Sequence, residues 1–431
     1  MLERFTSWGD RPQSRTILLG TSLFVLGACV RFLHLVAFNQ LQFNNPENPA
    51  FLEAQSLLNG TIALPARVHD TAVFDGAARN IFQPGQTLYF LAHLGLGGTA
   101  SLAYYQLELV AIALISALLL NIALLRLSGS KVIFSLSLTL SMMLGAPYFA
   151  SFPSALGGSI YRANHCFSIV FLVAFLVLIS SKLTATRLGW IGACIGAAML
   201  FRAQYVLLLL LPVLLLLQDD EGQRWDLKAN LGNPSQRREL LKKIGCLVIA
   251  PALALLLILG FQAARFNNPL ENGYLLAYEG REDYIADRAQ DHGILSEYFL
   301  PENLYRTFWA APELDFDGWE IEGVKGDRRG NSLIFSQPIL LMALLIWPSL
   351  RNPRVQAWAI ASLVLALPVW LYHNPGVYAP GYMRLSLDYI MLWAGALAVG
   401  VQRATVPRPL LWLTVPAALW AMFYASLLIP T

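Results

Sequence analysis

An acidic stretch stands directly after the first long apolar run of the chain. Residues 46–60 read PENPAFLEAQSLLNG, and two Asn-Pro pairs, beginning at Asn45 and Asn48, could each start a helix there. If the helix starts after Asn45, Glu47 lies in its first turn, where the helix dipole favours an ionised carboxylate. Such a group at a membrane surface could take a proton from an acceptor, as a general base does. The alternative is a plain interfacial helix whose glutamates are only solvated.

The same stretch has one apolar face. The residues that recur at helical spacing are Phe51, Ala54, Leu57 and Leu58. This pattern predicts a helix that lies along the membrane surface with its apolar side toward the lipid. Glu53 is expected on the polar side, in solvent, where it would serve as an internal control for Glu47.

Two pairs of opposite charges lie within apolar runs, where a charge is costly and usually faces a cavity or a partner. Arg384 and Asp388 are four residues apart and would share one face of a helix. Either they form a structural ion pair between two spans, or Arg384 reaches a lipid phosphate while Asp388 orients it. Arg31 and Glu108 lie at similar depth in the first two long spans, and for them we predict a structural pair.

The elements that must position these residues are membrane helices. Hydrophobic residues make up 56% of the chain and charged residues 13%, whereas a soluble domain has about 25% charged residues. Many apolar windows are long enough to cross a bilayer. Counting 188–217 as two, we predict 11 spans, at 16–38, 102–125, 132–150, 165–181, 188–217, 244–264, 333–350, 355–372, 385–402 and 409–429.

The distribution of Lys and Arg predicts the orientation. Of the 30 basic residues, 17 fall in inner segments if the N-terminus is inside. The short outer segments hold Arg67, Arg79, Arg162, Arg202 and Arg384. The positive-inside rule therefore predicts a cytoplasmic N-terminus and, with 11 spans, an outer C-terminus. We expect an integral multi-pass protein of a bacterial inner (plasma) membrane.

Two sizeable loops, 39–101 and 265–332, are expected on the outer face of a single membrane domain that comprises residues 1–431. The second loop carries 14 of the 27 acidic residues and 7 basic ones, so it should form a solvated acidic cap. The inner loop 218–243 is too short for a domain and contains no glycine-rich phosphate loop. Chemistry is therefore expected outside, and the net charge of +3 does not indicate nucleic-acid binding.

The four cysteines are expected to be small apolar packing residues. Cys29, Cys166, Cys194 and Cys246 all lie in or beside spans, and no metal-binding spacing occurs among them. The first span is too long for a cleavable signal peptide and lacks a small-residue cleavage pattern. It is therefore expected to remain as an anchor.

Five motifs follow one another along most of the chain. They are ENPAFLEAQSLLNG, HDTAVFDGAARNIFQPGQTLYFLAHLGLGG (69–98), AMLFRAQYVLLLLLP (198–212), FNNPLENGYLLAY (266–278) and GYMRLSLDYIMLW (381–393). Their order resembles the GT-C class of membrane glycosyltransferases, which includes protein mannosyltransferases and lipid A aminoarabinose transferases. In that class an acid opens the first outer loop and an aromatic residue follows four positions on. Here these are Glu47 and Phe51, where the class often has Asp or Asp-Glu and then Tyr.

The resemblance implies an all-α polytopic fold and sugar transfer from a polyprenyl-phosphate-linked donor to an acceptor on the outer face. Such a donor explains why no nucleotide site is needed. The reaction requires a base for the acceptor hydroxyl and cations for the phosphate leaving group. The carboxylates implied as catalytic are Glu47, Asp70 and Asp75. The residues implied in phosphate binding are Arg162, Arg202 and Arg384, with Asp388 beside the last.

His165, in YRANHCF, lies where relatives of that class often have a polar residue at the start of a span. It could bind a metal or relay a proton, and the alternative is a histidine that is simply hydrogen-bonded. The sequence establishes no cofactor, and a divalent metal is an open alternative. The implied partners are a polyprenyl-phosphate sugar and the lipid bilayer, with the acceptor unidentified.

Two further functions stay open beside the enzyme. A transporter or flippase of a lipid-linked substrate would place charges near the bilayer midplane and show internal repeats. The two halves show no clear repeat, and the polar residues cluster in the outer third of the spans, which favours the enzyme. The other alternative is a GT-C-like protein that has lost catalysis. The single Glu47, where the class often has Asp-Glu, is compatible with this alternative.

Overall fold

Helices dominate the computed structural model, which describes residues 12–33, 43, 45–219, 222–226, 232–317, 320–325, 330–376, 382–404 and 406–428. The first α-helices are α1 (Pro12–Leu33), α2 (Pro49–Leu58), α3 (Gly85–Gly97), α4 (Tyr105–Leu127), α5 (Val132–Leu144), α6 (Tyr148–Leu156), α7 (Ile160–Ile179), α8 (Ala185–Met199), α9 (Leu210–Leu216) and α10 (Pro234–Phe266). They are followed by α11 (Tyr274–Tyr278), α12 (Tyr284–His292), α13 (Leu300–Phe308), α14 (Leu333–Ser336), α15 (Met342–Ile346), α16 (Pro353–Trp370), α17 (Ile390–Arg403), α18 (Arg408–Leu411) and α19 (Thr414–Leu427).

Short 3-10 segments and two hairpins complete the described structure. The 3-10 segments are Gly98–Tyr104, Ala203–Leu209, Glu297–Phe299, Pro338–Leu341, Trp347–Arg351 and Arg384–Asp388. The strands β1 (Thr71–Phe74) and β2 (Ala77–Asn80) pair antiparallel, with Thr71 opposite Asn80. The strands β3 (Glu313–Asp317) and β4 (Glu320–Lys325) form the second antiparallel hairpin. Both hairpins lie in the stretches predicted to be outer loops.

Six helical segments of the described chain are long and apolar enough to cross a membrane. They are Gly85–Leu127, Val132–Leu156, Ile160–Ile179, Pro234–Phe266, Pro353–Trp370 and Arg408–Leu427. Four shorter apolar segments accompany them, at Thr16–Arg31, Ala203–Leu216, Pro338–Arg351 and Ile390–Arg403. The all-α polytopic architecture is therefore confirmed. The count of 11 spans is not confirmed, and the orientation stays a prediction.

The double-length apolar window 188–217 does not form one continuous helix. Helix α8 ends at Met199, and Arg202 is extended, with φ −147° and ψ 97°, before the 3-10 segment Ala203–Leu209. The interruption brings a charged side chain into the protein at the end of an apolar helix. The sequence of this window has no strong turn signal. The charged residue Arg202 was therefore the only indication of a break at this position.

Helix α8 packs closely against α10 because its facing residues are small. A Cβ atom at Gly192 would overlap the carbonyl oxygen of Leu247, and one at Gly196 would lie 2.8 Å from that of Ala250. Small residues let two helix backbones approach in this way, which is how membrane helices gain packing contacts without a hydrophobic driving force.

Helix α2 begins at the second of the two Asn-Pro pairs. Asn48 is the N-cap, and its side-chain oxygen accepts hydrogen bonds from the backbone N–H groups of Ala50 and Phe51 at 2.9 and 3.2 Å. Glu47 therefore precedes the helix and is exposed in a turn. The prediction that it occupies the first helical turn is wrong, because the cap satisfies the orphan amides of a helix that starts three residues later.

Glu53 is fully buried, so its predicted place on a solvated face is also wrong. Its carboxylate accepts hydrogen bonds from Arg265 Nε at 2.6 Å and Nη2 at 2.5 Å. Asn80 and Thr87 donate to the same carboxylate at 2.8 and 2.6 Å, and Arg265 also donates to the Phe82 carbonyl at 2.6 Å. This buried network joins α2, the first hairpin, α3 and the end of α10.

The second predicted outer loop docks onto the end of α16. Asn303 donates to the carbonyl oxygens of Trp370 and Tyr372, each at 2.8 Å. Arg288 Nε donates to the His373 carbonyl at 2.7 Å. These bonds satisfy backbone acceptors that a helix end leaves free, and they fix α12 and α13 to the end of α16.

The predicted pair of Arg31 and Glu108 does not form among the described residues. Arg31 is exposed. Glu108 instead accepts a short hydrogen bond from the Tyr89 hydroxyl, and its carboxylate lies 3.4 Å from His93 Nε2. Equal depth on consecutive spans did not predict the partner of Glu108. Glu108 lies on α4, and both side chains that it contacts lie on the preceding helix, α3.

Candidate functional site

A buried carboxylate joins three distant parts of the chain. Asp388, in the 3-10 segment before α17, lies 3.1 Å through Oδ1 from His165 Nδ1 on α7. Its other oxygen, Oδ2, accepts a short ion-pair hydrogen bond from Arg202. Asp388 and His165 are both almost inaccessible to solvent. Neither Asp388 Oδ1 nor His165 Nδ1 has a hydrogen-bond partner within the described chain, so the contact between Asp388 and His165 is a close electrostatic approach.

Close packing at the start of α3 places Arg202. The N–H of Gly85 donates to the Leu200 carbonyl at 2.7 Å, and a Cβ atom at Gly85 would lie 2.7 Å from that same oxygen. Only glycine leaves room for this approach. The end of α8 is thereby fixed against α3. The extended backbone of Arg202, just after α8, then directs its side chain toward Asp388.

Arg384 does not pair with Asp388, although the two were predicted to share a helix face. Within the part of the chain that the structure describes, its guanidinium makes no hydrogen bond or ion pair, and Nε is a buried atom without a partner. The residue is 8% exposed. Its guanidinium carbon lies 5.5 Å from the centre of the Tyr161 ring, a cation–π arrangement. Asp388 is instead paired with Arg202 through Oδ2, and its Oδ1 lies 3.1 Å from His165 Nδ1.

Arg384 lies within electrostatic reach of the other two arginines that were predicted to bind phosphate. Arg384 is repelled by Arg162 and by Arg202. Arg162 donates from Nη1 to the Ser154 hydroxyl at 2.6 Å. Among the described residues, these three guanidinium groups outnumber the two nearby carboxylates, Asp388 and Asp70, so positive charge is in excess in this cluster. Guanidinium groups are well suited to hold a phosphate through charge-assisted hydrogen bonds.

Asp70 lies at the margin of this arginine cluster. The Tyr161 hydroxyl donates a short hydrogen bond to Asp70 Oδ2, and Arg281 Nη1 lies 3.3 Å from Oδ1. His69 makes a further short contact through Nδ1. Tyr161 therefore contacts Asp70 with its hydroxyl and Arg384 with its ring. Asp70 connects the first predicted outer loop, the start of α7 and the second predicted outer loop.

The other two carboxylates predicted to be catalytic lie outside the cluster. Glu47 is exposed before the N-cap of α2. Asp75 is exposed in the turn between β1 and β2, where Asn267 donates to it at 3.4 Å. The structure thus brings Asp70 together with Arg162, His165, Arg202, Arg384 and Asp388, and it leaves Glu47 and Asp75 apart.

Arg281 is itself held in place by a helix cap. Asp283 accepts hydrogen bonds from Arg281 Nε at 2.9 Å and from the N–H groups of Ile285 and Ala286, each at 3.0 Å, at the start of α12. Burial alone would raise the pKa of Asp283, but the bonds from Ala286 and Arg281 outweigh it and hold the pKa below its usual range. Asp283 therefore stays ionised near neutral pH and keeps Arg281 directed at Asp70.

Sequence reasoning missed Tyr161 and Arg281. Tyr161 carries a readable signal, since it is four residues before His165 and so shares its helix face. Arg281 carries none, because it lies in a loop distant in sequence from Asp70. Among the described residues no group of three His, Cys, Asp or Glu side chains could hold a metal ion.

Comparisons with known proteins show the fold. No family model matches the chain, and no curated protein matches it. The oligosaccharyltransferase of Archaeoglobus fulgidus in its apo form aligns with a TM-score of 0.53 and 14% identity, over 95% of this chain and 55% of that chain. Apo ArnT from Cupriavidus metallidurans aligns with a TM-score of 0.41 and 12% identity, over 88% and 58%. The chain spans little more than half the length of these structures.

The first of these alignments confirms the GT-C-like fold that the five motifs predicted. At 14% identity the likeness concerns the fold alone. Together with the long apolar helices it identifies an integral membrane protein. The chemistry of this chain must be argued from its own site, since one fold carries many activities.

Proposed function

We propose that this protein is a membrane glycosyltransferase that moves a sugar from a polyprenyl-phosphate-linked donor to an acceptor hydroxyl at the outer face of the membrane. The GT-C-like fold supports the reaction class by analogy. The arginine cluster supports it by chemistry, because the donor's phosphate would enter the protein from the bilayer. The acceptor would approach from the side of the two outer loops.

The buried guanidinium of Arg384 is the observation that carries the proposal. A buried charge without a hydrogen-bonded counter-ion is costly, and this one lies beside two further arginines. A phosphate bound between Arg384, Arg162 and Arg202 would offset that cost. Asp388 pairs with Arg202, and His165 lies beside Asp388. In this proposal the two residues therefore position Arg202 for a phosphate ligand.

The charge of the cluster also matches the course of the reaction. In the transfer, the acceptor oxygen bonds to the anomeric carbon of the sugar while the bond from that carbon to the phosphate oxygen breaks. The bonding electron pair stays on the phosphate, which changes from a monoanionic diester to a more negative monoester. Cations that are already in place stabilise this developing charge more than they stabilise the ground state.

Asp70 is the carboxylate that we propose takes the acceptor proton. It is linked through Tyr161 to the arginine cluster, whereas Glu47 and Asp75 are exposed and apart from it. A general base must lie within reach of the reacting group, so position ranks Asp70 first. Glu47 remains the competing candidate for the base. Its position before α2 does not decide this role, which only a measurement of activity can test.

Binding of undecaprenyl phosphate to the full chain in lipid nanodiscs tests the phosphate site. Arg384→Gln should weaken binding by about tenfold or more, since a hydrogen bond to a charged group contributes roughly 1.5–3 kcal/mol. Arg67→Gln is the matched control, because Arg67 is an exposed arginine of the first outer loop. Equal losses in both variants would mean that surface charge alone attracts the lipid.

Transfer from a panel of radiolabelled polyprenyl-phosphate sugars to membrane extracts tests the reaction. Asp70→Asn should lower turnover by about 10²- to 10⁴-fold, the usual effect of losing a general base, while binding of undecaprenyl phosphate is retained. Glu47→Gln should have little effect. The reverse result would return the base to Glu47, and binding without any transfer would favour a carrier of lipid-linked substrates.

A further inference from the structure

A second charged site lies at the opposite end of the molecule. Helix α17 starts two residues after Asp388 and runs for 14 residues to Arg403, a distance of about 21 Å. A cavity of about 430 Å³ opens there, and its walls include Leu345, Pro348, Ser349, Arg403, Pro407 and Leu410. The cavity is therefore separate from the arginine cluster around Arg384.

One arginine lines this cavity and a second arginine lies near the first. Arg403 lines it, and Arg354, in the first turn of α16, is close enough for the two guanidinium groups to repel each other. Arg354 Nε is buried and has no hydrogen-bond partner, and no ion pair is formed by Arg354 within the described chain. Among the described residues, those that line the cavity include no Asp or Glu. Two like charges held together in a partly buried place favour an anion between them.

The neighbouring surface indicates where that anion comes from. Arg354 is the second residue of the candidate membrane span Pro353–Trp370, so the cavity lies at the boundary of the apolar layer. Leu344 and Trp347, next to the cavity wall, are 72% and 71% exposed. Apolar side chains exposed at this level face acyl chains, and Trp is enriched where chains meet headgroups. A ligand that fits both surfaces has a phosphate and a hydrocarbon tail.

We propose that this cavity binds the phosphate headgroup of an anionic phospholipid, with its acyl chains along Leu344 and Trp347. Basic pockets at the ends of membrane helices recognise anionic headgroups in this way. Arginine suits the task, since its planar guanidinium can bond two phosphate oxygens at once. The bound lipid would join α16 to α17 at the end remote from the candidate catalytic site. This inference is independent of the proposed glycosyl transfer.

Native mass spectrometry and thermal unfolding of the full chain in detergent test the proposal. The probes are phosphatidylglycerol, phosphatidylcholine and inorganic phosphate. Phosphatidylglycerol should bind and raise the unfolding temperature, whereas the other two should not. Arg403→Gln and Arg354→Gln should each weaken its binding about fivefold, the effect of one basic residue near an anionic lipid. Arg351→Gln is the matched control, because Arg351 is exposed three residues from Arg354.

Folding of the variants is monitored without lipid. Arg354→Gln removes one of two repelling charges, so in detergent alone it should unfold at the same temperature as the wild type or higher. A loss of lipid stabilisation in that variant is then not a loss of structure. Equal weakening by Arg351→Gln would overturn the proposal in favour of general surface attraction. Stabilisation by inorganic phosphate alone would overturn it in favour of a soluble anion.

Discussion

Arg265 and Arg384 are both buried arginines, yet their surroundings are opposite. Arg265 has Glu53 as a counter-ion, and its Nε, Nη1 and Nη2 atoms all donate hydrogen bonds. Arg384 has the face of Tyr161 and two repelling arginines, and its guanidinium donates no hydrogen bond within the described chain. A satisfied buried charge holds elements together. An unsatisfied one is kept at a cost to stability, which is typical of a binding site.

The largest effect is expected where the satisfied charge loses its partner. Glu53→Gln leaves Arg265 buried without a counter-ion, which typically costs about 3–5 kcal/mol of the free energy of unfolding. A strong fall in the unfolding temperature and in the yield of folded protein is the expected result. Glu47→Gln is the matched control, since Glu47 lies exposed on the same segment.

A double variant tests whether the stability of this buried network comes from its ion pair or from the volume that its side chains fill. Glu53→Leu with Arg265→Met removes both charges at once and keeps apolar volume, and such replacements are often close to neutral. It should therefore be more stable than Glu53→Gln alone. If the double variant is the less stable of the two, the ion pair contributes net stability beyond the avoidance of a lone charge.

The contrast between the two arginines also shows what could be learned from the sequence. Apolar runs and motif order predicted the polytopic GT-C-like fold, and charges within or beside those runs pointed to Arg202, Arg384 and Asp388. The identity of each partner could not be predicted. Glu53 and Arg265 are 212 residues apart, and Asp388 bonds Arg202, 186 residues away, instead of its neighbour Arg384.

Local ambiguity accounts for the other errors. Two Asn-Pro pairs offered equal helix starts, and choosing the first put Glu47 inside the helix and Glu53 on its solvent side. The apolar face of α2 was predicted to face lipid. It packs against protein instead, and the ring centre of Phe51 lies 5.5 Å from that of Phe90. A periodic pattern predicts which side of a helix is apolar, but not which polar residue finds a buried partner.

His373 extends the comparison to a buried group that is kept neutral. The residue is fully buried, with Nε2 3.0 Å from the Tyr278 hydroxyl and Nδ1 3.3 Å from the Ile294 carbonyl. Burial, with a smaller contribution from Arg288, lowers the pKa of His373 from 6.5 to about 4. The unfolded chain therefore binds a proton at higher pH than the folded protein does. The contribution of His373 to stability is complete above pH 6.5 and is lost as the pH falls toward 4.

The loss should reach about 3 kcal/mol below the folded pKa. Thermal unfolding between pH 7 and pH 4 measures it, with His373→Gln as the comparison because a glutamine can hydrogen-bond but does not titrate. The difference between wild type and variant should shrink as the pH falls through this range. A difference that stays constant would mean that protonation of His373 does not loosen the contact between the segment 265–332 and the end of α16.

The smallest effect on stability is expected at Arg384. Arg384→Gln removes a guanidinium that has no hydrogen-bonded partner in the described chain and is repelled by Arg162 and Arg202. Loss of the cation–π contact with Tyr161 costs about 0.5–2 kcal/mol, and relief of burial and repulsion acts in the opposite direction. The unfolding temperature without ligand should therefore stay close to that of the wild type, while undecaprenyl phosphate no longer raises it. If Arg384→Gln unfolds the protein as strongly as Glu53→Gln does, Arg384 is a structural residue and the phosphate site has to be sought elsewhere.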